Sequence, residues 1–178
     1  MNNGYSLTQK KYLLKSEQVE LERLLEKYRS SDLRDTTMLL FMLKSGLRPG
    51  EVLKVLWSDI NFDDGYIFIR TSKGGPERRF PLTEDLLSRF LGLGPGEGCE
   101  RVFKIKYNRF LQIWQKYRPV EKRLHSLRHT FAVNLYKKSR NDVRLVQQAL
   151  GHCGLQTTSI YLQFENSLDD FRNALDET

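Results

Sequence analysis

The sequence predicts an α+β domain, mostly helical, with a small three-stranded antiparallel β-sheet. Apolar residues recur at helical spacing on both sides of residues 57–82. Between those limits the pattern changes to a β-forming run, Tyr66-Ile67-Phe68-Ile69. Turn signals bracket that run, Asp63-Asp64-Gly65 before it and Lys73-Gly74-Gly75-Pro76 after it. At 178 residues, without repeats or low-complexity tracts, the chain suits one hydrophobic core.

Ser16 is expected to cap a first helix through Val19, Leu21, Leu24 and Leu25 to about Tyr28. A second helix opens at Asp32, contains Met38-Leu39-Leu40-Phe41-Met42-Leu43 and stops at Gly46. Pro49 suits the first turn of a short helix through Glu51, Leu53 and Lys54. Three short strands follow, with Lys73 at or near a hairpin tip. Helices resume at 83–91, and the Gly/Pro-rich stretch Gly92 to Gly98 is the loop most able to move. Further helices are expected over 107–117, after Ser126 and over 142–150, where Gly151 ends the last. A short helix is expected around Tyr161 and an amphipathic one over 167–175.

Hydrophobic residues make up 39% and charged residues 29%, the balance of a soluble globular protein. There is no apolar stretch of spanning length and no apolar signal core after Met1, so no membrane role is expected. Cys99 and Cys153 alone make no disulfide framework and suit a reduced cytoplasm. A net charge of +7 and a pI near 9.4 favour a polyanionic partner.

All three histidines lie between 125 and 152. In His125-Ser126-Leu127-Arg128-His129, offsets of three and four put 125, 128 and 129 on one side of a helix. That grouping offers a proton-transfer group beside an anion-binding guanidinium; a core histidine with a surface arginine fits as well. Arg48 and Glu51 stand three apart at a turn-to-helix junction, where a carboxylate can orient a guanidinium as a fork for two phosphate oxygens. A surface ion pair would share that spacing. Lys104, Lys106 and Arg109, interleaved with Tyr107 and Phe110, suit either a DNA-backbone grip or the polar face of a helix. Cys153 beside His152 hints at a metal ligand, but no further cysteine lies at metal-site spacing, so neither metal nor cofactor is expected.

Taken in order, these segments resemble the tyrosine recombinases of the phage-integrase type. Ser45-Gly46-Leu47-Arg48-Pro49-Gly50-Glu51 is similar to the family's first arginine motif, and Thr71-Ser72-Lys73-Gly74-Gly75 to its hairpin lysine. His125-Ser126-Leu127-Arg128-His129-Thr130 resembles its His-x-x-Arg box. Leu150-Gly151-His152, then Tyr161 nine residues later, resembles the segment with its last histidine and nucleophile.

The resemblance implies an integrase-like catalytic core that cleaves and rejoins DNA through a 3′-phosphotyrosyl bond to Tyr161. It implies that Arg48, Arg128 and His152 cradle the phosphate, that His125 helps move the tyrosine proton, and that Lys73 protonates the leaving 5′ oxygen. Glu51 would orient Arg48 or His125, and His129 would pack or hydrogen-bond. On this reading residues 1–15 are an extension or linker, 16–165 the catalytic domain, and 166–178 a tail. In that tail Leu168, Phe171 and Leu175 suit packing on a neighbouring protomer or within the chain. A helical DNA-binding domain commonly precedes this portion in the family, so the segment alone is expected to bind DNA weakly with steep salt dependence. The implied partners are double-stranded DNA, further protomers in a tetrameric synapse and accessory DNA-bending proteins, at the nucleoid. A non-catalytic DNA-binding regulator and a nicking-closing topoisomerase are the rival functions.

Overall fold

Helix α2 (Leu33–Ser45) runs through the middle of the molecule because its sequence is apolar on nearly every side: Met38 through Leu43 are all buried. The computed structural model describes residues 9–70 and 77–151. Around α2 pack α1 (Lys15–Lys27), α4 (Glu84–Gly92) and α6 (Ser126–Lys138). The short α3 (Pro49–Val52) lies against α2 and α5 (Tyr107–Tyr117), and α7 (Val143–Leu150) packs on α6. Strands β1 (Ile60–Asn61), β2 (Tyr66–Ile69) and β3 (Arg78–Pro81) form one antiparallel sheet in the order β1-β2-β3.

Several helix ends follow the expected chemistry. Thr83 and Asp142 cap α4 and α7, accepting from the N–H groups of Leu86 and Leu145. Gly46 and Gly151 end α2 and α7 in the left-handed region, at φ 65° and 63°. Gly46 is required twice over, since a Cβ there would overlap the Phe131 ring of α6. Ser16 does not cap α1, which begins one residue earlier. The Glu17 carboxylate accepts the Leu14 N–H at 2.7 Å instead, leaving the serine inside the helix. Val19, expected on the buried side, is 54% exposed; Leu21 and Leu25 carry that face.

The stretch before α1 is already packed. Leu13 is buried and its N–H donates to Thr130 Oγ1 at 2.7 Å, and Lys122 Nζ donates to the Tyr12 carbonyl at 2.8 Å. The loop at 92–98 is tied at its far end, where Gly98 O and Glu100 O accept from Ser58 and Trp57. In the sheet Ile67 pairs with Phe80 and Ile69 with Arg78, so these four side chains share the face turned to the core. Phe80 then meets Phe131 edge-on at 5.8 Å, fixing the sheet against α6.

Candidate active site

Three chain segments meet where α2 ends, α6 begins and α7 ends. The turn at Gly46 reverses the chain into α3, and Pro49 at its first position stabilises the short helix. Glu51, 7% exposed at its side chain, is thereby aimed back at the turn. Its Oε2 accepts the Arg48 backbone N–H at 2.8 Å, and its Oε1 accepts from Arg48 Nη1 at 3.0 Å. Arg48 is left 44% exposed, a charged fork held at its base with an open edge.

Arg128 lies in the first turn of α6, with a side chain only 4% exposed. Nη1 donates to the carbonyl of Gly46 at 2.6 Å and Nη2 to that of Leu150 at 3.0 Å. Both acceptors are carbonyls at helix ends, where orphan acceptors and the helix dipole favour a cation. Nη1 also stands 3.9 Å from Glu51 Oε2. Arg128 thus locks the ends of α2 and α7 to the start of α6, beyond adding charge.

A third guanidinium, which the motifs did not single out, joins them. Arg78 of β3 places Nη2 3.7 Å from Glu51 Oε2 and donates from Nε to the Ala149 carbonyl at 3.0 Å. One carboxylate therefore faces three guanidinium groups, an excess of positive charge beside the open edge of Arg48. The sequence signal was available: in a strand of period two, Arg78 shares the inward face with Phe80.

His125 sits at the exposed start of α6, with its ring 5.8 Å from that of His129. Desolvation first, then the charges of Arg128 and Arg48, lower the His125 imidazole below its ordinary value. His129 is lowered further, to about 4, by burial and then by His125, Arg128 and Lys11. Both rings are neutral near pH 7. Beside His125 opens a cleft of about 690 Å³, lined by Tyr107, Trp114, Arg118, Lys122 and Arg123 among others.

Arg48, Glu51, His125, Arg128 and His129 thus gather in one region. Lys104, Lys106 and Arg109 are exposed along the 104–109 stretch, whose Tyr107 lines the cleft beside His125; Lys104 pairs with Glu100 at 2.9 Å and Arg109 donates to Gln112 at 3.1 Å. Lys73, His152, Cys153, Tyr161, Leu168, Phe171 and Leu175 lie outside the described residues. No group of three or more histidine, cysteine, aspartate or glutamate side chains suited to a metal occurs among the described residues. Among them, too, no helix is long and apolar enough to cross a membrane.

Comparison with known proteins gives this arrangement a family. The chain is similar to the tyrosine recombinase XerA of Pyrococcus furiosus, 28% identical over 156 residues, which cover 80% of this chain and 54% of the relative. It spans about half the length of the curated relatives it matches first. Among solved structures it resembles the XerH site-specific recombinase bound to difH substrate, in a pre-cleavage complex, with a TM-score of 0.68 and 27% identity. That match covers 94% of this chain and 53% of the other. The catalytic domain of bacteriophage HP1 integrase shares the fold, with a TM-score of 0.66, 22% identity and 93% of each chain covered. The family pattern described as the Phage integrase family matches residues 13–167, so the chain belongs to the phage integrase family, the tyrosine recombinases.

Proposed function

We propose that this chain is a catalytic domain for site-specific recombination, cleaving and rejoining DNA strands through a phosphotyrosyl intermediate. The observation that carries the reading is the set of three guanidinium groups around Glu51, with His125 at the same helix start. A phosphodiester gains negative charge at its non-bridging oxygens as it becomes pentacovalent. Guanidinium groups held in place beforehand stabilise that charge without reorganising. The DNA-bound state of a related recombinase supports double-stranded DNA as the substrate class.

In this mechanism the Tyr161 oxygen attacks phosphorus while the 5′ oxygen of the scissile bond departs. The phenol's proton passes to neutral His125, whose lowered pKa leaves it free to accept one at pH 7. Lys73 gives a proton to the departing oxygen, and Arg48 and His152 hold the non-bridging oxygens with Arg128. The product is a 3′-phosphotyrosine and a free 5′ hydroxyl, and a second strand's hydroxyl reverses the same steps. The guanidinium groups supply the positive charge, so the cleavage is metal-independent and should persist in EDTA.

Residues 16–165 act as the catalytic unit, and 166–178 as a contact with a neighbouring protomer. Assembly into a tetramer on DNA, help from DNA-bending proteins and action at the nucleoid belong to the full-length protein. Lys104, Lys106 and Arg109, with Arg118 and Arg123 of the cleft, contact the DNA backbone.

A nicked suicide substrate tests the reading. The unsubstituted protein should form a covalent adduct, and Tyr161→Phe should form none while binding DNA with similar affinity. An adduct that persists in Tyr161→Phe removes the nucleophile, and sequence-dependent binding without any adduct would point to a regulator. Relaxation of plasmids lacking a special site would point instead to a nicking-closing topoisomerase.

A further inference from the structure

Arg78 is a charged side chain on the buried face of a sheet. Its partner across the ladder is Ile69, and the next pair on that face is Ile67 with Phe80. Its side chain is only 10% exposed. Burying a guanidinium in such company is unfavourable unless its charge is compensated. The compensation comes from two directions: the Glu51 carboxylate at 3.7 Å, and the C-terminal end of α7, where Nε donates to the Ala149 carbonyl at 3.0 Å. Among the described residues, neither terminal nitrogen has a hydrogen-bond partner at normal distance.

The end of α7 is shaped around this side chain. Gly151 turns there with φ 63°, and a Cβ at that position would overlap Arg78 Nη1. Arg128 donates to the neighbouring carbonyl, that of Leu150, so arginines from a strand and from a helix both dock on one helix terminus. Along the chain, Arg78 follows Lys73 by five residues, and His152 directly follows Gly151.

We propose that Arg78 is a positioning residue, clamping strand β3 to the last turn of α7 so that these two elements keep one fixed relation to Glu51 and Arg48. The proposal rests on the recombinase reading above, in which Lys73 and His152 serve a single phosphate. Buried and facing protein, Arg78 acts through its neighbours and contributes little to holding DNA. A methylene chain with an ammonium can keep the charge, but it cannot offer Nε to Ala149 and Nη2 to Glu51 together.

The test uses Arg78→Gln and Arg78→Lys in the full chain. With saturating suicide substrate, Arg78→Gln should slow single-turnover adduct formation by about 100-fold, the scale of an ångström's misplacement. Arg78→Lys should fall between it and the unsubstituted protein, and the DNA Kd of both should stay within about threefold. In nitrogen–proton correlation spectra, either variant should move the amides of Ala149–Gly151 and the Arg48 Nε signal, leaving α1 undisturbed.

Unchanged cleavage in Arg78→Gln, or a loss confined to DNA affinity, overturns the proposal. Should Arg78→Gln fail to fold, Arg78→Lys decides: cleavage at the unsubstituted rate shows that the guanidinium fork is dispensable. Static signals at Ala149–Gly151 overturn the clamp whatever the cleavage shows. Absence of any adduct with the unsubstituted protein sinks the recombinase reading instead, and the spectra still decide the clamp.

Discussion

Glu51 holds Arg48 at two points, its Oε2 on the Arg48 backbone N–H at 2.8 Å and its Oε1 on Nη1 at 3.0 Å. The same carboxylate therefore closes the first turn of α3 and aims the most exposed guanidinium of the site. Truncating it leaves Arg78 and Arg128 buried without their nearest negative charge. Glu51→Ala should cost about 3 kcal/mol in urea denaturation, the range for a broken buried ion pair, and should also slow adduct formation. Glu51→Gln keeps an acceptor for the Arg48 N–H and should lose less stability. Equal stability for all three proteins would show that the carboxylate's charge is idle.

Two glycines with nearly the same left-handed φ, Gly46 at 65° and Gly65 at 66°, separate backbone strain from packing. A Cβ at Gly65 would meet only Leu87 at 3.6 Å, an ordinary contact, whereas one at Gly46 would overlap Phe131. Gly65→Ala should cost about 1 kcal/mol for the conformation alone. Gly46→Ala should cost about 1–3 kcal/mol more, from overpacking against α6. Thermal or urea unfolding measures both, and matching losses would rule out the Phe131 contact as the cause.

His129 makes stability depend on pH in a stated direction. Its folded pKa lies near 4, below its ordinary 6.5, so the unfolded chain binds the proton more readily. The stability it contributes is complete above about pH 6.5 and is lost as the pH falls towards 4. Relative to His129→Gln, the wild-type protein should lose about 3 kcal/mol across that window. Parallel stability curves for the two proteins from pH 7 to 4 would contradict this.

The lowered pKa of His125 arises from desolvation, then from Arg128 and Arg48. Removing the Arg48 charge should therefore raise the titration midpoint of the ring, followed by its carbon–proton signals in Arg48→Gln. A midpoint that stays put or drops would mean that Arg48 does not act on this imidazole.

Backbone contacts are separable by salt. Arg123 lines the cleft beside His125, whereas Lys104 is paired with Glu100. Arg123→Ala should reduce the slope of log K against log salt by about one, the signature of one lost phosphate contact. Lys104→Ala should change it less. The reverse order would mean that the Glu100 pair leaves Lys104 the stronger phosphate contact of the two.

Local rules make much of this protein legible in its sequence. Gly46 and Gly151 as helix stops, Pro49 at a first turn, and the β run at 66–69 each depend on a few neighbouring residues. Arg48 beside Glu51 was legible for the same reason, since a separation of three on a turn of helix brings two side chains together. The first cap failed that logic: Glu17, not Ser16, satisfies the N-terminus of α1, and several polar side chains compete for such a position.

What only the tertiary structure decided involves residues far apart in the chain. Arg128 donates to the carbonyls of Gly46 and Leu150, and Arg78 reaches Ala149 and Glu51. No spacing rule indicates that a strand arginine will be buried against the end of a helix some seventy residues later. That outcome depends on which surfaces pack together, because a desolvated charge must find its partners wherever the packed elements bring them.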